Sequence, residues 1–398
     1  LVTIDTVPPV ITINSLVTTN TAPALGGTIN DPSASVTVLV NGFTYVATNN
    51  GNGAWTLPVN AISPLLVAAV YPITATATDI AGNSNSTSGS LTIQQPISLS
   101  ANLEYLRLDP DGLHVDIWNN ATASGAPGES ILASSISTVT YLGPSGGDIV
   151  VLDFSNGDPL PTGGISLSGG AGQNTLEIIG SRPGNNAAVA ISGGSFSIPA
   201  SAANSANAGT QNNVLGTVSI AAGAELALAP SDSQADQTVL SVNNLVIAGT
   251  LDITNNTLLA NEAKVAESQI ATWVQNAPAA PCIMSSLVIG PGAVANRAVG
   301  YGDWNQDPLS VPAGDVEVKY TVTGDTNLDG VVDQADLARA INNLGQSPGY
   351  YGGDVANHGI VDIDDIAEII NNLGDSLSAT GDSLGVAASG MAVAADLP

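Results

Sequence analysis

Asp325, Asn327 and Asp329 stand at alternate positions of the run Gly324-Asp-Thr-Asn-Leu-Asp-Gly-Val-Val-Asp-Gln-Ala-Asp336, so a tightly coiled loop turns all three side chains inward. Val331 adds a backbone carbonyl, Asp333 reaches an ion directly or through a water, and Asp336 closes the shell from the twelfth position. Gly330 holds the sixth position, where such a loop turns sharply. This density of oxygen donors suits Ca²⁺, which takes six or more oxygens, and not Mg²⁺, which keeps several of its waters. A plain polar turn with helix-capping aspartates needs only one or two of these matches. The twelfth residue is Asp where a calmodulin-type hand has Glu. The preceding segment, Val316-Glu-Val-Lys-Tyr-Thr-Val322, alternates like a strand and not like an entering helix.

The pattern returns 29 residues later. Asp354, Asp362 and Asp365 repeat the first, ninth and twelfth positions, and Ile360 offers the carbonyl, but Ala356 and His358 replace the third and fifth ligands. One firm calcium site and one weak or empty site are expected, with Asn357 a conceivable substitute donor through a shifted backbone. Each loop leads into a short helix, and the endings Ile341-Asn-Asn-Leu-Gly345 and Ile370-Asn-Asn-Leu-Gly374 are identical. Each closing Gly falls where a helix C-cap takes a left-handed residue.

Two loop–helix units of this kind resemble a dockerin, the paired-calcium-loop module that binds cohesin domains. The resemblance implies a calcium-folded docking unit over residues 316–375, with a cohesin-like domain as one partner.

Composition bounds the rest. Thirty-four acidic residues against six basic ones give a formal charge of −28, which argues against nucleic acid and anionic membrane surfaces as partners. It suits a calcium-rich exterior, where ions neutralise carboxylates. The chain is nonetheless 44% hydrophobic and carries 43 Gly, a β-rich, turn-rich balance and not that of a disordered acidic segment. Cys282 is the sole cysteine, so no internal disulfide forms, and it reads as a small buried hydrophobe. No signal peptide or membrane-length apolar run is visible, so no membrane insertion is expected. The opening residues read as the processed or truncated start of a C-terminal part of something longer.

Residues 1–95 read as about seven short strands of a β-sandwich, with Asn41-Gly42 as a hairpin turn and Trp55 as a core plug. Asp5-Thr-Val-Pro-Pro9, Gly27-Thr-Ile-Asn-Asp31 and Asp79-Ile-Ala-Gly-Asn83 resemble the bacterial Ig-like repeats of large surface adhesins. That family carries calcium at domain junctions, which makes Asp5 and Asp79 candidate junction ligands; turn residues are the favoured reading.

Residues 96–315 read as a β-rich, solenoid-like region of short apolar strands with Gly and Asn at the corners. Gly169-Gly-Ala-Gly-Gln-Asn174 fits a rung corner. Asp109-Pro-Asp-Gly112 fits a turn. A helix over 259–275, with Val265, Ala266, Ile270, Trp273 and Val274 on one side, is expected to cap the solenoid end. Residues 276–314 read as loop-rich. The tail, 376–398, is low in complexity: it either packs on its own chain or donates a strand to a neighbouring subunit.

The fold class expected is therefore a mainly β multidomain chain: an Ig-like sandwich, a solenoid-like region and a small helical calcium module. This order resembles the dockerin-containing surface proteins of planctomycete-type bacteria, which implies an extracellular or cell-surface location and assembly more than chemistry. No catalytic constellation emerges. The functional expectation is a non-catalytic, calcium-binding structural protein that associates head-to-tail with its own copies, in a fibre or matrix, or with a cohesin-like partner. Alternatives are a dockerin-bearing adhesion component that binds polysaccharide, or a β-helix polysaccharide enzyme, for which Asp148, Asp153 and Asp158 match poorly.

Overall fold

The computed structural model describes residues 5–120, 122–144, 146–180, 187–198, 211–231, 237–289, 293–303 and 313–377. Strands dominate, and three short helices occur among the described residues: α1 (Glu267–Asn276), α2 (Gln334–Asn342) and α3 (Ile363–Asn371). None is long and apolar enough to cross a membrane. Residues 378–398, on which the donated-strand expectation falls, lie outside the described residues.

The N-terminal strands pair in one seven-stranded order that folds over its own core of Val36, Val38, Val40, Trp55, Ile73 and Leu91. Val36, Val38 and Val40 alternate inward because side chains of one strand point to opposite faces. Asn41 and Gly42 both take positive φ, as a two-residue hairpin turn demands. Trp55 is fully buried, and its indole N–H donates to the Thr12 carbonyl at 2.9 Å. The close is made by strand Leu16–Thr18 lying parallel to the end of strand Ser84–Ile93.

One residue, Gln94, separates that strand from Gln95–Leu99, which already belongs to the larger sheet. The Gln94 N–H donates to the Thr18 carbonyl on one side, and its amide reaches the carbonyls of Ser134 and Ile136 on the other.

The larger sheet is mostly a stack of parallel strands. One ladder runs through Ile97, Val139, Ile165, Val189, Val218 and Leu245. A second runs from Leu103–Leu108 through Ile149–Asp153 and the end of Ile165–Ile179, with continuing steps at Glu225–Leu228, Thr250–Asp252 and Cys282–Met284. A third joins Asn213, Leu240 and Leu258. Apolar residues from all three enter one core, while Tyr105 and Val151 of the second ladder form a small separate cluster with Trp118.

Buried asparagines link the turns of the stack. Asn174, at the end of the expected corner, accepts from the Asp148 N–H and donates to the Ser195 carbonyl. Asn255 and Asn256 do the same between Ala229, Ser231 and Thr238.

One expectation needs correction. The helix expected over 259–275 begins only at Glu267, because Thr257–Asn261 is a strand paired on both sides, with Val239–Val242 and with Asp315–Lys319. Ile270, Trp273 and Val274 still form its buried side, packed beside Cys282–Met284 and Arg297–Asp303. Within the loop-rich stretch 276–314, Arg297–Asp303 pairs antiparallel with Asp315–Val322 and forms the last strand of the sheet. Asp315–Val322 thus belongs to the larger sheet and runs directly into the first loop.

Candidate metal centre

The two loop–helix units interlock about an approximate twofold relation. The backbone leaving α3 pairs with the first loop: Gly374 N–H donates to the Val332 carbonyl and Val332 N–H to Asp375. The backbone leaving α2 pairs identically with the second: Gly345 N–H donates to Val361 and Val361 N–H to Gln346. Gly324 (φ +100) sits on Ile369 of α3, and Gly353 (φ +115) sits on Ala340 of α2. Both helices close with left-handed Gly345 and Gly374. The pair packs on the end of the sheet, where Gly300 and Gly302 leave room for the rings of Tyr350 and Tyr351.

The first loop sets its sequence-predicted acidic residues in one hydrogen-bonded frame. Asp325 and Asp336 have no exposed surface. Asp325 accepts from the N–H groups of Asp329 (3.1 Å) and Gly330 (2.8 Å) and from the Thr321 hydroxyl. Asp336 accepts from Thr326 and Asn327 with one oxygen and from Asp333 N–H with the other. The Asn327 amide donates to Asp329 at 2.9 Å. Asp333 caps α2 through Ala335 N–H and completes a capping box with Asp336. The pairing of this loop with residues 374–377 uses the Gly330 and Val332 carbonyls and leaves the Val331 carbonyl outside it.

Burial, opposed by the Thr321 and Gly330 hydrogen bonds, pushes the Asp325 carboxyl up to about 6; burial also raises Asp336. A carboxylate has about four lone-pair directions, so three bonds orient Asp325 and leave it one direction free, whereas Asp336 takes four, from the Thr326 N–H and hydroxyl, the Asn327 N–H and the Asp333 N–H. The charges of Asp336 and Asp329 also push Asp325 upward, so these three carboxylates of the first loop are electrostatic neighbours.

The second loop keeps the frame and changes the donors. Asp354 accepts from His358 and Gly359 N–H, and Asp365 from Ala356 and Asp362 N–H, position for position as in the first loop. Ala356 brings no side-chain oxygen. The His358 ring lies among Asp354, Asp362 and Asp365. Ile360 is partly exposed. Asn357 (φ +55) occupies the position of Leu328 (φ +60) and lines a cavity of about 220 Å³ with Val274, Ile283, Arg297 and Glu368, so its side chain does not replace the missing donors. The left-handed backbone at Leu328 and Asn357 carries no sequence signal in a leucine.

Elsewhere, Asn83 donates to the Asp79 carboxylate and to the Asp5 carbonyl, which makes this a closed turn and holds Asp79 below the usual carboxylate range. Asp109 and Asp111 accept from Leu113 N–H, an aspartate-closed turn beside His114. Asp153 accepts from the Tyr105 hydroxyl at 2.5 Å with Arg107 at 3.7 Å; Asp148 lies beside the Tyr141 hydroxyl; and Asp158 accepts from Leu160 N–H. Cys282 is buried, and burial pushes its thiol up.

Residues 12–95 match the family model of a bacterial Ig-like domain, which gives the N-terminal sandwich its class and fits a structural or adhesion role at the bacterial surface. No curated protein matches the chain. One solved structure, described as structural insight into host cell surface retention of a 1.5-MDa bacterial ice-binding adhesin, shares 16% identity at a TM-score of 0.17. That similarity covers 28% of this chain and 43% of the other.

Proposed function

We propose that this chain is a non-catalytic structural protein of the bacterial exterior, in which a dockerin-like module folded by calcium serves as the assembly element. The carrying observation is the interlock of the two loop–helix units around the buried carboxylates Asp325 and Asp336. Carboxylates gathered this closely repel until a cation arrives, so ion binding and folding of the module are one event. The three parallel ladders support a β-solenoid reading of the middle region, a stiff spacer between the Ig-like domain and the module. The engagement of Asp148, Asp153 and Asp158 in separate structural contacts supports the non-catalytic reading over a polysaccharide enzyme.

Ile341 and Leu344 on one helix unit, and Ile370 and Leu373 at the matching places on the other, remain exposed. Apolar residues duplicated on one small module favour a partner surface, either a cohesin-like domain or another copy of the chain. Sedimentation in millimolar calcium and in excess EDTA tests the reading. Polymers that form in calcium and dissolve in EDTA identify self-assembly. A monomer that binds calcium in its module directs the search to a cohesin-like partner. A chain that binds no calcium overturns the proposal.

A further inference from the structure

Helix α1 has two working sides. Ile270, Trp273 and Val274 enter the core, whereas Glu267, Ser268, Thr272 and Gln275 form one wall of a cleft of about 340 Å³. Ser347-Pro348-Gly349, from the connection between α2 and the second loop, forms another wall. Tyr301 of the last strand and Asp354 also line it.

Gly349 keeps the cleft open where its polar groups converge. A Cβ there would lie 3.4 Å from the Tyr301 hydroxyl oxygen and 3.6 Å from Glu267 Oε1, so both atoms border one small space. Tyr301 is almost wholly buried. Burial, with the charges of Asp354 and Glu267, pushes its hydroxyl up, so it stays protonated. The Tyr350 N–H faces the hydroxyl oxygen, which leaves the hydroxyl proton to be donated.

These groups select a ligand by its hydrogen-bonding character. The carboxylates accept, the Tyr301 hydroxyl donates, and Ser268, Thr272, Gln275 and Ser347 do both. An ammonium only donates and leaves the Tyr301 proton without an acceptor. An anion meets two carboxylates, and no Lys or Arg lines the cleft among the described residues. A neutral, hydroxyl-rich molecule donates and accepts at once. Ala271 and Pro348 supply apolar surface for the C–H face of a ring. The volume stands at the low end of the ~300–1,000 Å³ of small-molecule sites, which suits one ring and not a chain of them.

We infer that this cleft binds a single neutral sugar ring, with Glu267 and Tyr301 as the groups that hold its hydroxyls. The inference goes beyond the assembly reading and uses no metal at either loop.

The test is saturation-transfer NMR followed by calorimetric titration of the full chain in millimolar calcium. The probes are the methyl glycosides of glucose, galactose, mannose and N-acetylglucosamine. At least one should bind saturably. Glu267→Gln should weaken it about tenfold, because a carboxylate holds hydroxyls by charge-assisted bonds. Thr272→Leu fills the cleft from an exposed helix position and should weaken binding as much without altering charge. Gln269→Ala, exposed on the same helix but outside the cleft, should leave it unchanged. Methyl glucuronide and butylammonium should not bind. No binding of any neutral glycoside, binding undiminished by Glu267→Gln and Thr272→Leu, or equal binding of the glucuronide or butylammonium overturns the inference. Sedimentation in calcium and EDTA reads the assembly proposal separately, so either can fail alone.

Discussion

Asp325 holds a carboxyl that burial has raised to about 6 from an ordinary value near 3.8. Without an ion, a group raised in the folded state contributes stability that is complete below the unfolded value and lost as pH rises through the folded one. In EDTA, the module is therefore expected to melt highest near pH 4 and progressively lower toward pH 7. A shift of this size corresponds to a few kcal/mol, at about 1.4 kcal/mol per unit. Asp336 is raised by burial too and acts in the same direction. Calcium held in the first loop, as proposed, would reverse the trend, because it would bind the ionised form. Calorimetric melting in calcium should exceed that in EDTA at pH 7 and converge with it near pH 4. Asp325→Asn should abolish the calcium-induced rise; an undiminished rise would place the ion elsewhere. The donors of the first loop were legible because their spacing is local. The placement of the His358 ring among three carboxylates was not, since only the folded loop sets Asp354, Asp362 and Asp365 around it.

At the level of elements, the interlock depends on two glycines that sequence reading passed over. A Cβ on Gly353 would lie 2.6 Å from Ala340 Cα, and its φ of +115° is one that L-residues rarely adopt. On Gly324, the nearest contact would be Ile369 Cα at 3.2 Å. Gly353→Ala is expected to destabilise the module by roughly 2 kcal/mol or more, and Gly324→Ala by less, read as the loss of its calcium-stabilised melting transition. Equal effects of the two would contradict the geometry. In the stacked strands, Asn256→Ala strips partners from Ser231 and Thr238 and should cost about 1–3 kcal/mol by denaturant unfolding. Short apolar runs and glycine punctuation made most strands legible, along with both capped helices. The strand Arg297–Asp303 was not legible, because its glycines serve tertiary fit to Tyr350 and Tyr351 and read locally as loop. The start of α1 was misplaced because Thr257–Asn261 carries the same apolar residues into a strand, where pairing on both edges decides the outcome.

For the whole molecule, a charge of −28 makes association between copies costly unless cations intervene. Raising monovalent salt in EDTA should therefore not reproduce the calcium effect, since screening lowers repulsion without filling the first loop. Sedimentation at matched ionic strength checks this, and polymers formed by salt alone would remove the loop from the assembly mechanism. The joint at Gln94 has a further consequence. Leu16–Thr18 lies parallel to Leu91–Ile93, and the chain leaves that pair straight into the larger sheet through one residue. Tension drawn through the start of the first strand and the end of the second slides the two past each other, so their cross-strand hydrogen bonds bear the load together and do not open one by one. The Ig-like domain is built as a shear clamp, and the Gln94 joint leaves little slack between that clamp and the strands that follow.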